Sequence, residues 1–162
     1  MINKTGFKEK IWIVALIFGL ALCAFSFAPK KVVSDEIFVV AHSYYAVGTP
    51  PLIGRVRGKI YSDSIRLVTY VLDSDNFLNW KNKKDFESTI ATKWTKEYEF
   101  DLDVDPFEKL FMVFYNSHAD PNYPVDLKLE IVGIAPTHSP FLYIGAITIL
   151  VGAFIKKIKK EV

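Results

Sequence analysis

The chain has 162 residues, 51% of them apolar, a formal net charge of +2 and a single cysteine. That length suits one domain of ordinary size, and a lone cysteine excludes a disulfide framework. The small positive charge sums unlike regions, so it gives no argument for a nucleic-acid partner.

Residues 1–10 carry Lys4, Lys8 and Lys10 against Glu9. Ile11–Phe27 (IWIVALIFGLALCAFSF) then runs 17 residues without a charge, within the roughly 17–25 that cross a bilayer. Lys and Arg beside a span stay in the cytoplasm. Residues 1–10 are therefore expected inside, and residues 11–27 as a transmembrane helix. The alternative is a cleaved signal peptide, with Ala24-Phe25-Ser26 as its cleavage site. Against it, the apolar core exceeds the usual length of about 7–15 residues. Cys23 lies in this segment, behind a Leu22 that is larger than the residue a lipoprotein signal carries there.

From Val32 the pattern changes to apolar–polar alternation with period two, the mark of half-buried strands. Val32–Ala41 opens the series, Gly48-Thr49-Pro50-Pro51 makes a turn, and Leu52–Tyr61 and Ser64–Leu72 follow. Asp73–Thr95 is a polar, lysine-rich separator. Tyr98–Val104 is the next strand, and Lys109–Tyr115 (KLFMVFY) reads as a central strand buried on both faces. Asn116–Pro124 is turn material, and Val125–Ile134 closes the region. No long helical periodicity appears. The expectation is an all-β domain over residues 32–134, an antiparallel β-sandwich of six to eight strands, flanked by N- and C-terminal transmembrane helices.

Phe141–Ile155 runs 15 residues without a charge. It is short for a span, but Pro140 extends it and Lys156 and Lys157 can snorkel. The competing reading is a buried core helix, against which the lysine cluster argues. Residues 140–155 are assigned as the second span and 156–162 as a basic cytoplasmic tail. The intervening stretch from Ala28 to Pro140 carries 13 basic and 16 acidic residues, a net −3. The expected location is a cell membrane crossed twice, with both termini cytoplasmic and the central domain extracytoplasmic.

One stretch, Glu97-Tyr98-Glu99-Phe100-Asp101-Leu102-Asp103-Val104-Asp105-Pro106, alternates acid and apolar residues without a break. On a strand, Tyr98, Phe100, Leu102 and Val104 face one way and the five carboxylates the other. Arg55, Arg57 and Lys59 alternate in the same manner upstream. If the two strands are neighbours, the bases relieve the repulsion among the acids. Calcium binding by Asp101, Asp103 and Asp105 is the runner-up. It requires oxygens converging from several directions, whereas carboxylates on one straight strand face lie about 7 Å apart. A loop such as Asp73–Asp75 or Asp120 would have to help. A solvated acidic face is the third reading.

The order of motifs carries a resemblance. Ile65-Arg66-Leu67-Val68-Thr69-Tyr70-Val71-Leu72-Asp73 precedes Asn76-Phe77-Leu78-Asn79-Trp80, an acidic–aromatic strand follows, and then come Phe111-Met112-Val113-Phe114-Tyr115-Asn116 and Val125-Asp126-Leu127-Lys128-Leu129-Glu130-Ile131. Together these resemble the GOLD (Golgi-dynamics) type β-sandwich, and more so its membrane-anchored, archaeal-like versions, over Val32–Ile134. The resemblance implies a sandwich outside the membrane that binds proteins or lipids and is not an enzyme. Eukaryotic members carry a coiled coil and a disulfide, and neither is present here. Lys159-Lys160-Glu161-Val162 fits a dilysine retrieval tail, a match that four lysines in five positions produce readily by chance.

Asn79 and Trp80 are expected to be structural, Trp80 plugging an end of the sandwich with its N–H on a backbone carbonyl. Asn116 is expected to make a turn hydrogen bond. Trp80 beside Lys81, Lys83 and Lys84 could touch anionic headgroups or sugars. The plainer reading is a solvated loop with Asp85 and Glu87 as local partners. His42, His118 and His138 lack the spacing of a helical metal site and have no cysteine to join them, which leaves a structural or copper-type site from His42 and His118 as the residual metal reading. Ser62, Ser64 and Ser117 have no catalytic motif around them, and no phosphate-binding glycine loop occurs. The sequence thus implies no cofactor and no catalysis. It points to a bilayer and a protein partner, with this chain as an accessory subunit of a membrane complex. The alternative is a lipid- or cargo-binding module.

Overall fold

The computed structural model describes residues 4–63, 67–93, 95–117 and 124–161. It divides into two compact units: the terminal helices, and a sandwich over Pro29–Ala135. Ser64–Arg66, the first part of the expected strand Ser64–Leu72, lies outside the described residues. So do His118 and Asp120, most of the expected turn Asn116–Pro124, and the side chains of Lys159 and Lys160.

Among the described residues the sandwich holds eight strands, β1 (Lys30–Val39), β2 (Tyr44–Gly48), β3 (Leu52–Ser62), β4 (Leu67–Leu72), β5 (Ile90–Lys93), β6 (Glu97–Glu108), β7 (Phe111–Asn116) and β8 (Val125–Ile134). They form two four-stranded antiparallel sheets, one ordered β1-β8-β3-β6 and the other β2-β7-β4-β5. The chain changes sheet at every connection except β4 to β5. Two of these strands, β2 and β5, escaped the sequence reading. Each is a short edge strand, of 5 and 4 residues, too brief to develop a period-two pattern.

Alternation decides what faces inward. On β3, Val56, Gly58, Ile60 and Ser62 are buried while Arg55, Arg57, Lys59 and Tyr61 are exposed. On β8, Val125, Leu127, Leu129 and Ile131 are buried against Asp126, Lys128 and Glu130 outside. Ile37, Val39, Leu67, Val71, Phe100, Met112 and Phe114 complete the core between the sheets. Gly58 sits opposite Phe100 on β6, and a Cβ at Gly58 would overlap the Phe100 ring. The aromatic ring thus fills the space a side chain would occupy on β3. As the sequence indicated, β7 is buried on both faces, with Met112, Val113 and Phe114 each 0% exposed.

The outer face of the β7 sheet is covered by the segment read as a polar separator. It contains a short helix, α2 (Ser74–Lys81). Asp73 caps it, its carboxylate accepting the Asn76 amide at 2.7 Å, as an N-cap residue does. Phe77 stacks on Phe111 at 4.1 Å, Trp80 lies beside Phe77 and Tyr44, and Phe86 meets Tyr70 edge-on. Trp80 therefore packs on a sheet face and does not plug an end of the sandwich. Among the described residues its indole N–H has no hydrogen-bond partner.

Asn116 also differs from expectation. It is fully buried, and its Nδ2 donates to the Val39 carbonyl at 3.0 Å, tying β7 to β1 across the sandwich. Its backbone holds the crossing loop as well: the His42 amide donates to Asn116 O at 2.9 Å, and Asn116 N donates to Ser43 O at 3.2 Å. His42, with φ 55°, turns that loop.

The other unit pairs α1 (Lys4–Phe25) with α3 (Pro140–Glu161). Pro140 opens α3 at a position where its missing N–H costs nothing, and the helix continues past residue 155 through the lysine cluster. Over Pro140–Ile158, α3 is long and apolar enough to cross a bilayer, whereas the apolar part of α1, Lys10–Phe25, is shorter than such a span. The helices touch through small residues. A Cβ on Gly19 would lie 2.8 Å from Gly145 O, one on Gly145 2.7 Å from Gly19 O and from Cys23 Sγ, and one on Gly152 3.2 Å from Ala15 Cβ. Only residues without bulk permit this approach.

Candidate functional site

The residues that the acidic and basic ladders singled out come together on the outer face of the β1-β8-β3-β6 sheet. Register places Arg55 opposite Asp103, Arg57 opposite Asp101, Lys59 opposite Glu99 and Tyr61 opposite Glu97. The pairs that form are partly diagonal. Arg55 grips Asp101 side-on through one guanidinium edge, Nε and Nη2 each donating at 2.7 Å to a carboxylate oxygen. Lys59 Nζ lies 2.5 Å from Glu97 and 2.9 Å from Glu99. Asp103, Asp105 and Arg57 have no ion-pair partner among the described residues.

The pattern extends over two strands that the sequence reading left out of the ladder. Lys31 on β1 meets Glu130 on β8 at 2.8 Å, and Lys128 meets Glu36 at 2.9 Å. The alternation Asp126-x-Lys128-x-Glu130 carried the signal for this, but only the strand order shows what faces it. A shallow groove of about 520 Å³ runs across this face, lined by Arg57, Lys59, Glu99, Asp101, Glu130 and Val132 among others.

Electrostatics follows from the pairing. The hydrogen bond from Arg55 holds the Asp101 carboxyl below the usual carboxylate range, with Coulombic help from Arg55 and Arg57. Arg55 is raised in turn, first by its bond to Asp101. Lys59 is pushed up by Glu97 and Glu99, and Lys128 by Glu36. All four groups are solvent-exposed, so these shifts record charge neutralisation at the surface, which solvent screens.

The calcium reading needs a loop acid to join the strand, and Asp120, one of its two candidates, lies outside the described residues. Asp101 is engaged by Arg55, the three aspartates sit at alternate positions along one strand, and among the described residues no three His, Cys, Asp or Glu side chains converge to hold a metal. His42 lies in the β1–β2 turn, and His138 makes a 3.4 Å contact with the Thr137 hydroxyl beside α3.

Asn79 and Trp80 are not part of the charged face. Asn79 contributes its carbonyl to the end of α2, accepting from Asn82 and Lys84. Its neighbour Asn76, which the sequence reading did not single out, has the larger role. Its Nδ2 donates to Asp73 at 2.8 Å, and its Oδ1 accepts the Glu87 amide at 2.8 Å, pinning the loop after α2. The spacing Asp73-x-x-Asn76, with an acid just before a short helix, was the available clue.

No protein-family model matches the chain, and no curated protein is significantly similar to it. Solved structures similar to it are β-rich proteins at low identity. The Aeromonas hydrophila periplasmic inhibitor PliG of g-type lysozyme aligns with TM-score 0.45 and 9% identity over 62% of this chain and 84% of that one. The Yersinia pseudotuberculosis-derived mitogen gives 0.43 and 5%, over 66% and 87%. A CBM36 carbohydrate-binding module in complex with calcium and xylotriose gives 0.32 and 5%, over 65% and 99%. None of these three is a GOLD domain, and at these values the chain's own two sheets carry the fold assignment.

Proposed function

We propose that this chain is a non-enzymatic membrane protein with two spans, whose GOLD-type sandwich on the extracytoplasmic side binds a protein partner as an accessory subunit of a membrane complex. The observation that carries the proposal is the inside-out composition of the helical unit. Ile17, Phe18, Leu20, Ile147, Leu150 and Phe154 are all more than half exposed, Leu150 at 69%. Glycines, by contrast, occupy the contact between the helices. A pair of helices bathed in water would bury the former, whereas in lipid small residues are favoured where helices meet.

Two hydroxyls, one just past the end of α1 and one within α3, are satisfied locally, as a hydrocarbon environment requires. Ser26 Oγ donates to Leu22 O and Thr148 Oγ1 to Ile144 O. Trp12 lies beneath the Lys156 ammonium at 4.6 Å at one end of the pair, a residue type suited to a membrane interface, and Phe25 packs edge-on against Phe141 at the other. The apolar part of α1 reaches about 24 Å at 1.5 Å per residue. That is short of a ~30 Å hydrocarbon core, a gap that snorkelling Lys10 and a locally thinner bilayer accommodate. The flanking lysines favour cytoplasmic termini.

The protein-binding part draws on the sandwich. Neither groove on its outer charged face gathers a nucleophile with a base. What that face offers is a broad, exposed surface of fixed charges. Solubilisation in mild detergent and affinity purification of the full chain tests this reading. A protein recovered in stoichiometric amount, resistant to moderate salt, is expected, and a chain that elutes alone from its native membrane contradicts it. The lipid-binding alternative draws on exposed Leu78 and Tyr44 near Lys81, Lys83 and Lys84. Lipid co-eluting in fixed ratio in place of a protein would support that reading.

A further inference from the structure

We propose that β6 presents an open strand edge that takes up an extended, basic segment of a protein partner by β-augmentation. This rests on the protein-binding reading and specifies where and with what chemistry it occurs. Among the described residues β6 is the terminal strand of its sheet, paired with β3 alone. At 12 residues it is long for an edge. Its register against β3 runs unbroken from Glu97 to Val104, with no bulge. Its inward residues Tyr98, Phe100, Leu102 and Val104 are apolar, so no inward charge guards it.

Two devices limit the open stretch. At one end the Glu97 carbonyl accepts the Thr95 hydroxyl at 2.7 Å. At the other the Asp105 amide donates to Glu108 at 3.1 Å, just before Pro106 and the positive-φ Phe107. Between these ends no second strand lies alongside β6, on the edge away from β3, among the described residues. Unpaired backbone groups of this kind are templates for another strand.

The side chains select the occupant. A second copy pairing through its own β6 would set carboxylates against carboxylates, which is repulsive. A strand with Lys or Arg at alternate positions would set cations against Glu99, Asp101, Asp103 and Asp105, of which Asp103 and Asp105 have no ion-pair partner among the described residues. Backbone hydrogen bonds would supply affinity and the alternating charges specificity, the division of labour in strand addition.

The test titrates full-length protein in nanodiscs of neutral lipid with a fluorescent heptapeptide of alternating lysine and valine. Saturable binding is expected, weakening with salt. It should be about tenfold weaker for the D103K/D105K double variant, whose changes lie outside the β3 ion pairs. The same peptide N-methylated at alternate backbone positions, in either phase, should bind markedly less in one phase. Equal binding of both N-methylated forms and the parent would reveal charge adsorption alone and overturn the proposal, as would indifference to D103K/D105K. Self-association abolished by D103K/D105K would overturn it too, because it would make a second copy the occupant. A native partner retained by D103K/D105K, with no peptide binding to the wild type, defeats edge addition and leaves the protein-binding reading standing. Loss of every partner from the wild type defeats that reading itself.

Discussion

At the scale of single residues, Phe100 anchors the charged strand β6 to the core. Its ring lies over Gly58 on the neighbouring strand and is 6% exposed. Phe100→Ala would leave a cavity and a bare glycine together, and should cost about 3–5 kcal/mol of sandwich stability, the usual range for emptying an aromatic site. Chemical denaturation followed by tryptophan fluorescence measures it. The sequence announced Phe100 as an inward residue, because alternation assigns it. It gave no sign that a glycine lay across from it, since that depends on register between strands 42 residues apart in the chain. The same holds for Asn116. A polar residue ending an apolar strand is ordinary turn chemistry in sequence, and only the crossing of β1 above β7 makes it a bridge between sheets.

At the scale of elements, the β3–β6 ladder predicts a pH response with a definite sign. The Asp101 carboxyl is held below its ordinary value in the folded chain. Its contribution is therefore present above the unfolded value of about pH 4 and lost as pH falls through the lower folded value. Lys59 and Lys128 are raised. Their contribution is complete below about pH 10 and lost only as pH rises beyond it. Stability from the ladder should therefore be flat across neutral pH and decline on the acid side. Asp101→Asn should flatten the acid limb, read from melting temperature at a series of pH values. An unchanged acid limb in the variant would show that the Arg55–Asp101 pair carries none of it. The ladder was legible because opposite charges alternated on two stretches, whereas the Lys31–Glu130 and Lys128–Glu36 pairs required the strand order.

The helices make a different prediction. Gly145→Leu places a branched side chain where Gly19 O and Cys23 Sγ approach. It should separate α1 from α3 while leaving the sandwich folded. Cross-linking between cysteines introduced at Ala15 and Gly152 should fall in that variant when measured in membranes lacking Cys23. Retained cross-linking would mean that the small-residue contact does not set the pairing. Apolar length and flanking lysines made both helices readable in sequence, but their partnership was not, because glycines within an apolar run look like any other small residue.

At the scale of the whole molecule, fold class was easier to read than topology. Period-two alternation reports which face of a strand is buried, so a sandwich followed from six strong stretches. The sheet order did not follow, because seven of the chain's β-to-β connections include only one that stays within a sheet, and sequence proximity therefore says little about spatial pairing. The segment after β4 read as a polar, lysine-rich separator, and its cover of a sheet face was missed because its apolar residues, Phe77, Trp80 and Phe86, are scattered among lysines. They serve one sheet face in place of a periodic stripe.

The account depends most on where the two ends and the sandwich lie with respect to lipid. Labelling with a membrane-impermeant maleimide in a Cys23→Ser background tests this directly, with one new cysteine at a time at Ser34 or at Lys157. The account predicts that Ser34→Cys reacts on intact cells and that Lys157→Cys reacts only after the membrane is opened. Labelling of Lys157→Cys on intact cells with Ser34→Cys protected, or recovery of the chain in the soluble fraction, would contradict it.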